Sequence, residues 1–62
     1  MDILKQLAEE FKIRNTQVEN TVKLIDGGNT IPFISRYRKE MTGGLDDQLL
    51  RELSERLTYL RN

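Results

Sequence analysis

The sequence predicts an all-α fold: a small, irregular array of about four short helices. Apolar residues recur at helical spacing in four segments. Pairs of glycines at positions 27–28 and 43–44 interrupt these segments. No run of β-branched residues alternates with polar residues, so no strand is predicted. With 62 residues, the chain is long enough for one domain at most.

The first predicted helix covers about residues 2–12, and its apolar side chains form one stripe: Ile3, Leu4, Leu7, Ala8 and Phe11. The second begins at Asn15 or Thr16 and ends at Gly27 and Gly28. Thr16 and Glu19 have the spacing of a capping box, in which each side chain binds a free backbone N–H of the other residue. We expect its buried stripe to be Val18, Val22 and Ile25, with Leu24 at the edge of the stripe.

The third helix is predicted to begin at Thr30 or Ile31, with Pro32 in its first turn. Proline has no backbone N–H, and in the first turn of a helix this N–H would have no helical partner. The helix ends at Gly43 and Gly44, and its apolar side is Phe33, Ile34, Tyr37 and Met41.

The fourth helix begins at Asp46, and leucines form its apolar stripe: Leu49, Leu50, Leu53, Leu57 and Leu60. Leu45, which precedes the helix, is placed to pack back on Leu50. The stripe is still apolar at Leu60, and no clear stop signal comes after it. We therefore expect residues 1–62 to be a fragment of a larger multidomain protein whose last helix continues. A natural end at Asn62 is the alternative.

The composition excludes several classes of function. Ten basic residues balance ten acidic ones, so the chain as a whole does not attract nucleic acid or membranes. Without cysteine and histidine there is no disulfide, no thiolate or imidazole ligand for zinc, and no Ser-His-Asp or Cys-His catalysis. Adjacent acids such as Glu9 and Glu10 point in different directions on a helix. We expect no catalytic residue, no metal, no cofactor and no enzymatic activity.

The absence of cysteine, together with a start that lacks the features of a signal peptide, favours the cytoplasm. The chain is too polar for a membrane span, and we expect no membrane partner.

One segment concentrates positive charge: Arg36, Tyr37, Arg38 and Lys39. Three interpretations stay open. The cations can neutralise phosphates while Tyr37 stacks on an unpaired base. Arg36 can instead pair with Glu40 one turn later, with Tyr37 in the core. Finally, the arginines can dock another part of a longer chain through bidentate ion pairs.

The sequence from Ile31 to Asp47, which reads IPFISRYRKEMTGGLDD, resembles the N-terminal region of the bacterial Tex proteins, which are transcription accessory factors. The resemblance extends over essentially the whole chain. Its closest matches are the four candidate residues above and five residues with structural roles: Pro32, Phe33, Glu40, Gly43 and Gly44. Ser35 and Met41 replace an alanine and a β-branched residue of the family.

The resemblance implies that residues 1–62 are the N-terminal helical domain of a much longer cytoplasmic protein that binds RNA or DNA and acts in transcription. In the family, nucleic-acid binding is attributed mainly to a C-terminal OB-fold domain that these residues do not include. The implied partners are the remainder of the parent chain, nucleic acid through the parent protein, and the transcription machinery. For the residues themselves we expect a docking or scaffold role, with direct nucleic-acid contact as the alternative.

Overall fold

Five α-helices succeed one another in residues 2–62, the part of the chain that the computed structural model describes. They are α1 (Ile3–Phe11), α2 (Asn15–Asp26), α3 (Ile31–Tyr37), α4 (Lys39–Thr42) and α5 (Asp47–Arg61). No strand occurs in these residues, which confirms the predicted all-α class. None of the helices in this range has the length and apolar character needed to cross a membrane.

Local capping side chains set three of the helix starts, close to where the sequence predicted them. The Asp2 carboxylate accepts from Lys5 N at 3.1 Å, and the Asp46 carboxylate accepts from Leu49 N at 2.8 Å. The Thr30 hydroxyl accepts from Phe33 N at 3.3 Å. Each bond satisfies one of the backbone N–H groups that the first turn of a helix leaves free.

The predicted capping box of Thr16 and Glu19 is wrong. The helix already has helical geometry at Asn15, so Thr16 lies inside the first turn and not at the cap. The residue that reaches back is Gln17, whose Oε1 accepts from Arg14 N at 2.9 Å. The predicted end at the first glycine pair is confirmed: α2 ends at Asp26, and Gly28 has a φ of +90°.

The third predicted helix is two helices, because the backbone breaks at Arg38 with φ −128° and ψ 33°. Side chains of α2 hold the second piece in its new direction. Gln17 Nε2 donates to Thr42 O at 2.9 Å, and Asn20 Nδ2 donates to Met41 O at 3.0 Å. These carbonyls at the end of α4 would otherwise lack a helical partner.

The core lies where α5 packs against α1, α2 and α3, while α2 also contacts α1 and α4. Ten apolar side chains are buried in it: Leu7, Ala8, Val18, Val22, Leu24, Ile34, Leu45, Leu50, Leu53 and Leu57. The burial of three residues differs from the predicted stripes. Leu24 is buried and Ile25 only half-buried, and Tyr37 lies outside the core. The irregular arrangement results from the shortness of α3 and α4, which span too few turns to pack along a bundle axis.

Candidate functional site

The predicted cationic segment lies at the junction between α3 and α4, and we refer to Arg36, Tyr37, Arg38 and Lys39 as the cationic corner. Arg36 and Tyr37 end α3, Arg38 is the residue at the break, and Lys39 begins α4. Because the chain changes direction between them, the four side chains leave two differently oriented helices. The corner is therefore an outward-facing bend and not one face of a continuous helix.

An aromatic pair forms the base of the cationic corner. The rings of Phe33 and Tyr37 lie one helical turn apart, with centroids 5.2 Å apart and planes tilted by 45°. The guanidinium carbon of Arg38 lies 5.1 Å from the centroid of the Phe33 ring, within range of a cation–π contact. Arg38 Nη1 also donates to Tyr37 O at 3.1 Å. These contacts hold the Arg38 side chain in one orientation, half-buried against Phe33.

Tyr37, the aromatic residue of the cationic corner, is exposed, with 57% of its surface accessible. The interpretation that placed Tyr37 in the core is therefore wrong. Periodicity put it on the side of Ile34, but α3 ends at Tyr37 and the chain turns away before a further helical turn can cover the ring. Its ring is open to solvent on the side away from Phe33.

The charges of the cationic corner are not balanced within the part of the chain that the structure describes. The alternative in which Arg36 pairs with Glu40 is wrong, because the break at Arg38 removes the regular helical spacing on which that pair depends. None of Arg36, Arg38 and Lys39 forms an ion pair within residues 2–62.

Three of the four arginines outside the cationic corner form ion pairs, and all three belong to α5. Arg56 binds Glu10 through Nε and Nη2 at 2.8 and 3.0 Å. Arg61 binds Asp26 through Nη1 and Nη2, both at 2.9 Å. The Arg56 hydrogen bonds, followed by one from Gln6, lower the pKa of Glu10, and the Arg61 hydrogen bonds lower the pKa of Asp26.

The five residues with predicted structural roles support the cationic corner without adding charge to it, apart from Glu40. Pro32 lies in the first turn of α3, and Glu40 is exposed in the first turn of α4. Gly43 and Gly44 end α4 with φ values of +75° and +87°. Sequence reasoning assigned Phe33 only to structure and missed its role as the support for Arg38. Its spacing of four residues from Tyr37 is typical of a helical side-chain pair, and it signals the contact of the two rings but not the contact with Arg38.

The arrangement offers positive charge, N–H donors and an open aromatic face, which are the elements of a binding surface. Within residues 2–62 no group of three or more acidic, histidine or cysteine side chains is placed to hold a metal ion.

Comparison with known proteins finds a matching family model and several similar proteins. A family model described as the Tex-like protein N-terminal domain matches residues 1–62. The chain is 52% identical over 61 residues to the transcriptional accessory protein Tex of Neisseria gonorrhoeae, which covers 98% of this chain and 8% of that protein. It is 60% identical over 55 residues to the protein YhgF of Escherichia coli K12, covering 89% of this chain and 7% of YhgF.

A human relative, named S1 RNA-binding domain-containing protein 1, is 42% identical over 60 residues, covering 97% of this chain and 6% of that protein. No solved structure gave a significant match. The chain thus corresponds to a small part, between 6 and 8%, of each of these relatives. The match over residues 1–62 confirms the resemblance carried by the segment from Ile31 to Asp47: the chain belongs to the family of Tex-like protein N-terminal domains.

Proposed function

We propose that this domain is a docking module of a Tex-like transcription accessory protein, and that the cationic corner binds an acidic surface elsewhere in the same parent chain. One observation carries the proposal. Three cations in four residues form no ion pair within residues 2–62, whereas three arginines of α5 each pair with a carboxylate. A basic cluster that the fold leaves unpaired is suited to an external acidic partner.

The geometry favours ordered ion pairs over loose attraction. A guanidinium can bind a carboxylate with two parallel hydrogen bonds, which fixes direction as well as charge. Arg38 is already held against Phe33 and bonded to Tyr37 O, so it loses less side-chain entropy on binding than a freely moving arginine. The chain covers only 6 to 8% of the relatives' lengths, so most of a parent protein's surface lies outside it.

At the level of the parent protein, we propose a cytoplasmic role in transcription that proceeds by binding and not by catalysis. The name of the Neisseria relative supports the link to transcription. Within these 62 residues, the lack of cysteine supports the cytoplasm, and the lack of histidine and cysteine supports binding over catalysis by this domain. Contact with the transcription machinery belongs to the same proposal.

A second candidate function is direct contact with single-stranded nucleic acid, and the exposure of Tyr37 favours it. An accessible aromatic ring beside unpaired cations is the arrangement on which unpaired bases stack while phosphates are neutralised. The name of the human relative mentions an RNA-binding S1 domain, which supports RNA as a ligand of the parent protein. Three cations alone supply only modest, salt-sensitive affinity.

The test is a calorimetric titration of the 62-residue chain against the remainder of its parent chain and, separately, against a short single-stranded RNA. The test variant replaces Arg36, Arg38 and Lys39 with alanine. The matched control replaces three exposed cations outside the cationic corner: Lys5, Lys23 and Arg51.

We expect the test variant to bind the parent remainder at least about tenfold more weakly, a loss of about 1.4 kcal/mol, with a flatter salt dependence. The control variant should bind with the same affinity as the unmodified chain. Its net charge changes by as much as that of the test variant, but the lost charges lie outside the cationic corner. Equal affinity of the test variant and the control would overturn the docking function. RNA binding that is lost both in the test variant and in Tyr37→Ala would establish the second candidate instead.

A further inference from the structure

An apolar groove opens on a different part of the domain, where the start of α1 lies beside the end of α5. Residues of α1 with its cap, of α2 and of α5 line the groove: Asp2, Ile3, Leu4, Val22, Leu57 and Arg61. The groove has a volume of about 490 Å³. None of the residues of the cationic corner lines it.

The groove exists because the apolar stripes of α1 and α5 lose their cover at the same end of the domain. On α1, Leu7 is completely buried, but Ile3 and Leu4 in the first turn are only half-buried. On α5, Leu57 is 2% exposed, but Leu60 is half-buried. Continuing either stripe by one more layer of side chains would bury apolar surface that now faces water.

The rim of the groove offers little free charge. Arg61 lines the groove, but its guanidinium already donates to the Asp26 carboxylate through two hydrogen bonds of 2.9 Å each. Asp2 uses a carboxylate oxygen to cap α1. An occupant would therefore be recognised by apolar side chains. The groove is also largely open to solvent, whereas small-molecule pockets enclose most of their ligand.

The position of Asn62 beside the groove selects one occupant. Arg61 lines the groove, and Asn62 is the next residue. The relatives extend far beyond the matched part, since this chain covers only 6 to 8% of their lengths. Any residue joined directly to Asn62 is tethered beside the groove, and a short tether gives an effective concentration of roughly millimolar.

We propose that this groove holds the stretch of the parent chain immediately C-terminal to Asn62, packed through apolar side chains at helical spacing. This stretch completes the core by covering Ile3 and Leu4, and it locks the domain to the next part of the parent chain. The proposal shares with the docking function only the idea that the domain binds its own chain. The surface is different, so either proposal can fail without the other.

The test is site-specific crosslinking in the full-length parent protein. The 62 residues contain no cysteine, so Leu4→Cys introduces a single thiol here, and any cysteines elsewhere in the parent are replaced by serine. A thiol-linked benzophenone at this position is photoactivated, and the crosslinked peptides are identified by mass spectrometry. Ile3→Cys serves as a second position in case the first variant folds poorly, and Lys23→Cys on the exposed face of α2 is the control.

We expect crosslinks from positions 3 and 4, but not from position 23, to the peptide immediately C-terminal to Asn62. Alkylation of the thiol at position 4 should be about tenfold slower in the parent than in the 62-residue chain, as expected if the groove is covered in about nine molecules of ten. Crosslinks confined to residues 1–62, crosslinks to a remote segment, or crosslinks between isotopically labelled and unlabelled copies would each overturn the proposal. So would equal alkylation rates in the two chains.

Discussion

Two threonine side chains are completely buried in this fold, and their hydroxyl groups differ in what they bind. Thr42 Oγ1 accepts from Leu45 N at 3.3 Å and donates to Lys39 O at 3.4 Å, so it joins the end of α4 to the turn after it. Thr21 Oγ1 has no hydrogen-bond partner within residues 2–62. A buried hydroxyl without a partner costs free energy, whereas a satisfied one contributes to stability.

The contrast predicts opposite signs for the same substitution. Thr21→Val removes an unsatisfied hydroxyl and fills nearly the same space, so the free energy of unfolding should rise by about 1 kcal/mol. Thr42→Val leaves Leu45 N without its acceptor, so the free energy of unfolding should fall by about 1–3 kcal/mol. Urea denaturation followed by circular dichroism measures both, and each variant is the control for the other. A loss of stability in Thr21→Val would show that its hydroxyl is satisfied in solution.

At the scale of the elements, the two glycines that end α4 have different surroundings. Both Gly43 and Gly44 have positive φ, which any side chain makes unfavourable. A Cβ on Gly44 would meet open space, but a Cβ on Gly43 would collide with the side-chain amide of Gln17. That amide joins α2 to Thr42 O, and its oxygen accepts from Arg14 N.

We therefore expect Gly43→Ala to destabilise the domain more than Gly44→Ala. The second variant should lose about 1–2 kcal/mol, from backbone strain alone. The first should lose about 1–3 kcal/mol more, because displacing Gln17 leaves part-buried polar groups unpaired. Thermal unfolding of the two variants side by side isolates the contact, since the strain is common to both. Equal losses would mean that Gln17 moves aside freely.

The elements also show which parts of the fold can be predicted from the sequence. The starts at Asp2, Thr30 and Asp46 depend on a side chain that binds an N–H three residues away, so the local sequence contains the whole signal. After the break at Arg38, α4 is held by Gln17 and Asn20, which lie 25 and 21 residues from the carbonyls they bind. Periodicity contains no information about such distant partners, and it predicted one continuous helix.

The same distinction applies to the cationic corner. The sequence identified its charges and the spacing of Phe33 and Tyr37, because both are local features. It did not predict the exposure of Tyr37 or the missing pair between Arg36 and Glu40. Both accompany the break at Arg38, after which side chains of α2 bind the carbonyls at the end of α4.

At the scale of the whole molecule, α5 is joined to both of the helices that begin the chain by bidentate ion pairs. Arg56 binds Glu10 on α1, and Arg61 binds Asp26 on α2. The pairs lie at the surface and connect residues 46 and 35 positions apart. A small domain buries a limited fraction of its surface, so such links between distant parts of the chain matter more than in a large protein.

These pairs make the stability depend on pH in a defined direction. The arginine hydrogen bonds lower the pKa of Glu10 and of Asp26 below the ordinary value for a carboxyl group, about 4. The unfolded chain then binds more protons than the folded one over the acidic range, so stability rises with pH there. The contribution is fully present above the ordinary pKa and is lost as the pH falls through the lowered pKa values of the folded state.

The double variant Glu10→Gln and Asp26→Asn tests this link in the whole domain. Near pH 7 we expect it to unfold at a lower urea concentration than the unmodified chain, because two charge-assisted pairs are lost. The difference should shrink on acidification and vanish once the pH is below the lowered pKa values of the folded state, where both chains carry uncharged groups at these positions. The control Glu9→Gln and Glu55→Gln changes the net charge equally at exposed acids that form no ion pair within residues 2–62, and it should shift the midpoint less. A deficit of the double variant that stays constant from neutral to acidic pH would mean that its cause is packing, and that the ion pairs do not hold α5 to the rest of the molecule.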